Sequence, residues 1–147
     1  MFAPTVILAG IYAKYFGLSL AELAGITLLA RIFDGLTDPL VGYWSDRVRE
    51  RTGSRKVFIV VGGLMLVPLS YLLYVPPGVE AGAEKGVSLL YFAGLYIAFY
   101  WANTLFQVPY LAWANEFTKD GPEKIQVFTA INIMANLGVL IFYSAPF

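Results

Sequence analysis

Apolar residues along this chain gather in long runs instead of alternating with a strand's period of two. Five runs, covering about 2–16, 20–44, 57–75, 88–113 and 125–146, are separated by short polar segments. Crossing a ~30 Å hydrocarbon core takes about 20 apolar residues at 1.5 Å rise each, and the last four runs reach that length. A helix closes its backbone hydrogen bonds within itself, which a single strand in lipid cannot do. The pattern predicts an all-α membrane bundle with about five transmembrane helices. The first run gives only ~24 Å, so its helix is expected to begin upstream of Met1. No internal repeat is visible, and the proportions suggest a piece of something larger.

The connections set an orientation. Gly17 to Ser19 forms a tight turn, and Ser45 to Lys56 is a basic loop holding Arg47, Arg49, Arg51, Arg55 and Lys56 against Asp46 and Glu50. The positive-inside rule puts the 45–56 loop in the cytoplasm, the Pro-rich 76–86 loop outside and the 114–124 loop inside. Tyr71, Tyr74, Tyr91, Tyr100, Trp101, Tyr110 and Trp113 lie near span ends, where interfacial aromatics are expected.

Composition supports membrane over globule. The chain has 147 residues, 59% hydrophobic and only 14% charged, with mean hydropathy +0.67. A soluble domain carries about 25% charged residues. Flanked by apolar spans, the basic cluster reads as a topological signal and not as a nucleic-acid surface. Cysteine and histidine are absent, which removes thiolate chemistry and the commonest general base and transition-metal ligand. An enzyme is disfavoured.

The chemistry sits within the second run. Arg31, Asp34 and Asp38 fall at i, i+3 and i+7 on one helical face, with Thr27 extending it. Carboxylates at membrane depth are costly and mark ion, proton or substrate sites. Arg31 is expected to pair with Asp34, leaving Asp38 for a cation. Hard monovalent ions prefer such oxygen ligands. Pro39 lacks an N–H, so the Gly35 carbonyl loses its helical partner and a kink is expected there. A self-neutralising charge triad that only joins helices is the plainer alternative. Gly42 offers a close helix approach. Asp46 is placed to cap a helix or pair with an arginine, and Asp46 and Arg47 are candidates for charge pairing that breaks and reforms. Glu22 and Lys14, at span ends, are expected to snorkel. In the fourth run, Asn103 and Gln107 stand at i, i+4 beside Thr104, suited to hydroxylated solutes or to ordinary interhelical bonds.

Two motifs carry a family resemblance. Arg31-x-x-Asp34-x-x-x-Asp38-Pro39-x-x-Gly42-x-x-x-Asp46-Arg47 resembles the second helix and following loop of the glycoside–pentoside–hexuronide:cation symporters, the melibiose-permease-like branch of the major facilitator superfamily. Pro109-Tyr110-x-Ala112-x-x-x-Glu116-x-Thr118-x-Asp120-x-x-Glu123-Lys124 resembles that family's fourth helix, with lysine at 124 where arginine is usual. The resemblance implies a twelve-helix major-facilitator fold of two halves working by alternating access. This chain would be part of the N-terminal half, and its absent C-terminal half a partner. It also implies a cation site on Asp34, Asp38, Thr37 and Thr104, with Thr37 standing where the family has asparagine. The solute side departs further. Gln107, Leu111 and Asn132 stand where the melibiose permease has an aspartate, a tryptophan and an arginine, so the same sugar held the same way is not expected.

The expectation is a symporter of a sugar or glycoside in the plasma (inner) membrane, driven by Na⁺ or H⁺ and needing no other cofactor. Asn103, Gln107 and Asn132 are the solute candidates. Asp34 and Asp38 are the Na⁺ candidates, tuned by Arg31. The alternative is a small, complete membrane scaffold or regulatory subunit without transport activity.

Overall fold

The computed structural model describes residues 3–77, 87–118 and 121–144. They form five helices: α1 (Ala3–Tyr15), α2 (Leu20–Thr52), α3 (Lys56–Tyr74), α4 (Leu89–Phe117) and α5 (Gly121–Ser144). Among the described residues there is no strand. Most of the predicted 76–86 loop and the centre of the 114–124 loop lie outside the described residues. By length and composition α3, α4 and Gly121–Ile141 of α5 are long and apolar enough to cross a membrane. α2 is long enough, but Arg31, Asp34 and Asp38 interrupt its apolar run, and α1 has only 13 described residues.

α2 begins with a capping box. Ser19 Oγ accepts from the Glu22 N–H at 3.2 Å, and Glu22 Oε2 accepts from the Ser19 N–H at 2.9 Å. Glu22 is therefore held at the helix start, where its charge also suits the dipole, and does not snorkel as expected. Lys14 lies 5.0 Å from the centroid of the Tyr15 ring. At its other end α2 runs two turns past residue 44, so the first half of the expected basic loop is helical. No glycine or proline interrupts Ser45–Thr52. Gly53, at φ +72°, stops the helix in the left-handed conformation, its N–H reaching Arg49 O at 2.7 Å. The helix continues through Pro39.

α4 is the centre of the bundle, packed on α3 along one face and on α2 along another. Among the described glycines, the closest approach of another helix is at Gly62 of α3. A Cβ there would lie 2.6 Å from Phe106 N, 2.9 Å from Leu105 C and 3.0 Å from Ala102 O, so the two backbones are in direct contact. Gly42, the expected approach point, would place a Cβ 3.8 Å from Val108 Cγ1, an ordinary distance. Small residues matter between membrane helices because dispersion contact replaces the hydrophobic effect there.

At the predicted outer end, Leu8, Tyr12, Leu23, Ile26, Leu73, Phe92 and Tyr96 form a buried cluster joining α1 to α4. Two tyrosines there correct a backbone deficit. The Leu72 and Leu73 carbonyls would ordinarily accept from residues 76 and 77, but both are prolines and have no N–H. Tyr91 Oη donates to Leu72 O at 3.0 Å, and Tyr12 Oη donates to Leu73 O at 2.7 Å. α5 is almost entirely exposed and has its main contact with α1.

Two stability outcomes follow for the full-length protein in detergent. Tyr12→Phe keeps the ring but orphans the Leu73 carbonyl, so thermal unfolding should show a loss of about 1–3 kcal/mol. Gly62→Ala should cost about 1–3 kcal/mol by forcing α3 from α4, while Gly42→Ala stays near the wild type. Equal melting points for the two glycine variants would contradict the backbone contact.

Candidate cation site and arginine clamp

α2 and α4 run parallel, so their functional residues meet in register, Asp34 opposite Thr104 and Arg49 opposite Glu116. Thr104 is only 2% exposed and its Oγ1 donates to Asp34 Oδ1 at 2.6 Å. Asp38 stands one turn further along α2, on the same helical face as Asp34. Thr37 is buried, and its hydroxyl donates back to Phe33 O at 3.0 Å, with Asp34 O 3.2 Å away. With its proton so used, the Thr37 oxygen keeps lone pairs for another contact. Two carboxylates and two hydroxyl oxygens thus gather on α2 and α4. Among the described residues no group of three or more His, Cys, Asp or Glu gathers, so a multi-carboxylate divalent site has no support here.

Arg31 departs from expectation. It makes no ion pair with Asp34; the ion pairs among the described residues all lie where the end of α2 meets the start of α3 and the end of α4. Its guanidinium carbon instead sits 5.8 Å from the centroid of the Tyr100 ring. Tyr100 was expected among interfacial aromatics, yet it is 2% exposed and one turn before Thr104 on the face towards α2. The physical reason is steric as much as electrostatic. A buried ring beside Arg31 offers a cation a flat electron-rich face that a same-helix carboxylate must compete with.

The solute candidates come together only in part. Asn103 Nδ2 donates to Gln107 Oε1 at 3.2 Å, so the two amides form one polar patch on α4. Asn132 is exposed on α5 and donates to Phe128 O at 2.8 Å. Beside the site, α1 and α2 enclose a groove of about 450 Å³ lined by Leu20, Leu23, Thr27, Leu28 and Arg31.

Where α2 ends and α3 begins, a second charge cluster ties three helices. Arg55, at the start of α3 and 6% exposed, donates to Glu116 Oε1 through Nη2 at 2.7 Å and Nε at 3.2 Å. Its Nη1 donates to Ser45 Oγ at 2.8 Å and pairs with Asp46. Arg49 Nε completes the clamp on Glu116 Oε2 at 3.0 Å. Burial acts to lower the Arg55 pKa, but the hydrogen bonds to Glu116 and Asp46 outweigh it and hold the guanidinium above its ordinary value. Arginine deprotonation therefore never opens this clamp at physiological pH. Asp46 takes the role of pairing with an arginine, but its partner is Arg55. Arg47 is exposed and outside the ion pairs of the described residues. Sequence reading missed Arg49, Arg55 and Glu116 as one unit. Their signal was the pairing of a basic stretch with an acid at the end of a parallel helix, which needs the helix packing to be seen.

Arg55→Gln should cost about 1–3 kcal/mol, less than the ~3–5 kcal/mol of breaking a fully buried pair, because Glu116 is partly exposed. Arg47→Gln should stay within about 0.5 kcal/mol. Thermal unfolding of the two full-length variants decides between these assignments.

Similarity to known proteins accords with this geometry. The profile of the family described as MFS/sugar transport protein matches residues 1–147. The chain is 28% identical over 130 residues to the uncharacterized symporter YnaJ of Bacillus subtilis (strain 168), covering 88% of this chain and 27% of that protein. It is 30% identical over 122 residues to the putative glycoside/cation symporter YagG of Escherichia coli (strain K12), covering 83% of this chain and 26% of that protein. A human relative, major facilitator superfamily domain-containing protein 12, is 32% identical over 124 residues, covering 78% and 25%. No solved structure matches. The chain spans about a quarter of the length of these relatives. The matched family and its symporter members are transporters and not enzymes. A profile match along its whole length, with all-helical architecture and symporter relatives, places this chain in the MFS/sugar transport family, of the glycoside–pentoside–hexuronide:cation symporter-like kind.

Proposed function

We propose that this chain forms the N-terminal part of a cation-coupled symporter for a sugar or similar hydroxylated solute. The observation that carries the reading is the 2.6 Å contact of Thr104 with Asp34 between two helices at membrane depth. Such a contact joins an oxygen-rich cluster across α2 and α4, with Asp38 beside it. Arg31, Asp34 and Asp38 sum to one negative charge, which one Na⁺ or H⁺ neutralises. Charge neutralisation lowers the cost of moving the site through an apolar barrier, which is the physical basis of coupling.

The solute side rests on Asn103 and Gln107, whose amides offer both donors and acceptors to sugar hydroxyls. Asn132 would join them from α5 only when that helix is packed in the complete protein. The opposite wall of a midplane site would come from the rest of the polypeptide. In that scheme α2, α3 and α4, joined at Gly62 and by the Arg55 clamp, move as one rigid body. The protein would lie in the plasma (inner) membrane, with the 45–56 and 114–124 segments facing the cytoplasm, where the basic excess belongs. The glycoside/cation description of YagG favours a glycoside among the possible solutes.

Asp38→Asn tests the reading. In the complete protein it should abolish cation-dependent uptake while membrane insertion and yield stay at wild-type levels. Undiminished Na⁺-stimulated and proton-stimulated transport would rule the site out.

A further inference from the structure

Resting on the cation-site reading, we propose that Tyr100 is a positioning residue that parks Arg31 away from Asp34 and so sets the site's affinity for Na⁺. On α2 the guanidinium of Arg31 stands one turn from the Asp34 carboxylate, a spacing at which oppositely charged side chains ordinarily meet. It does not meet it. The guanidinium lies 5.8 Å from the centroid of the Tyr100 ring, while Thr104, the next turn of the same α4 face, donates to Asp34. Arg31 and Asp34 on α2 are thus matched by Tyr100 and Thr104, one turn apart on α4.

Tyr100 supplies its ring alone. Its hydroxyl is buried and has no hydrogen-bond partner among the described residues. The ring is itself held in a chain of aromatics, 5.0 Å from Tyr96 and edge-on to Phe99 at 6.3 Å, so its face cannot turn away freely. Arg31 does have room to move, since it is exposed and lines the α1–α2 groove. Taken off the ring, the guanidinium swings to Asp34 and competes with Na⁺ for the same carboxylate. Fixed on the ring, it leaves the full charge of Asp34 to the cation.

The test needs no knowledge of the solute. The detergent-purified full-length protein is titrated with NaCl at constant ionic strength against choline chloride, and the rise in unfolding temperature gives the half-saturating Na⁺ concentration. Asp38→Asn must abolish the rise; if Na⁺ gives the wild type no Asp38-dependent rise, the Na⁺ form of the cation-site reading falls and this inference with it, while proton coupling through Asp38 is read separately from the uptake assay. With that rise in place, Tyr100→Leu should increase the half-saturating concentration roughly three- to tenfold. Tyr100→Phe, which keeps the ring, should match the wild type. In an Arg31→Gln background, Tyr100→Leu should change nothing further. Wild-type affinity in Tyr100→Leu would overturn the inference. So would an equal weakening with Arg31 already neutral, because Tyr100 would then act through packing alone.

Discussion

The backbone of α4 lies directly against Gly62 of α3, and the arrangement of functional groups depends on that contact. With no side chain at Gly62, the Ala102, Leu105 and Phe106 stretch of α4 closes on α3. The opposite side of the same two turns then carries Tyr100 and Thr104 towards α2. A helix is a rigid rod with fixed angular offsets, so fixing one face by backbone contact fixes what the other face presents. The short Thr104–Asp34 bond is downstream of a glycine on a helix that contributes nothing to the site.

The two charge clusters use opposite solutions to the same cost. At the α2–α3 junction, Arg55 is surrounded by Ser45, Asp46 and Glu116, and every strong contact is matched. On α2 and α4, the Thr104 hydroxyl donates to Asp34, with Asp38 one turn away, while the nearby guanidinium is held on an aromatic face. The first arrangement locks three helix ends together. The second leaves negative charge without a fixed counter-ion, and the proposed coupling cation is what would supply one. Between them, the outer tyrosines Tyr12 and Tyr91 satisfy carbonyls that Pro76 and Pro77 leave open, so the far end of α3 is also held.

Much of this was legible in the residues. The apolar runs located the helices because hydrocarbon demands length and permits no unsatisfied backbone. The i, i+3, i+7 spacing put Arg31, Asp34 and Asp38 on one face, and the motif in which they sit pointed to the family. Ser19-x-x-Glu22 is a readable capping signal, and Pro76-Pro77 announces two orphaned carbonyls; both were available and unused. The extension of α2 through residue 52 was obscured because charged residues read as loop, although they suit a helix whose flank is paired with a neighbour.

What the sequence by itself determined is the set of helices, their order along the chain and the presence of costly carboxylates in the second. These are local properties, set by hydropathy and by the fixed periodicity of a helix. Only the tertiary structure decided which groups meet: Thr104 with Asp34, Arg55 with Asp46 and Glu116, and Arg31 with Tyr100 instead of with its neighbour on α2. Those choices depend on the parallel register of α2 and α4 and on the close approach at Gly62. A pairing across 70 positions has no local spacing to announce it, because it is settled by packing between helices.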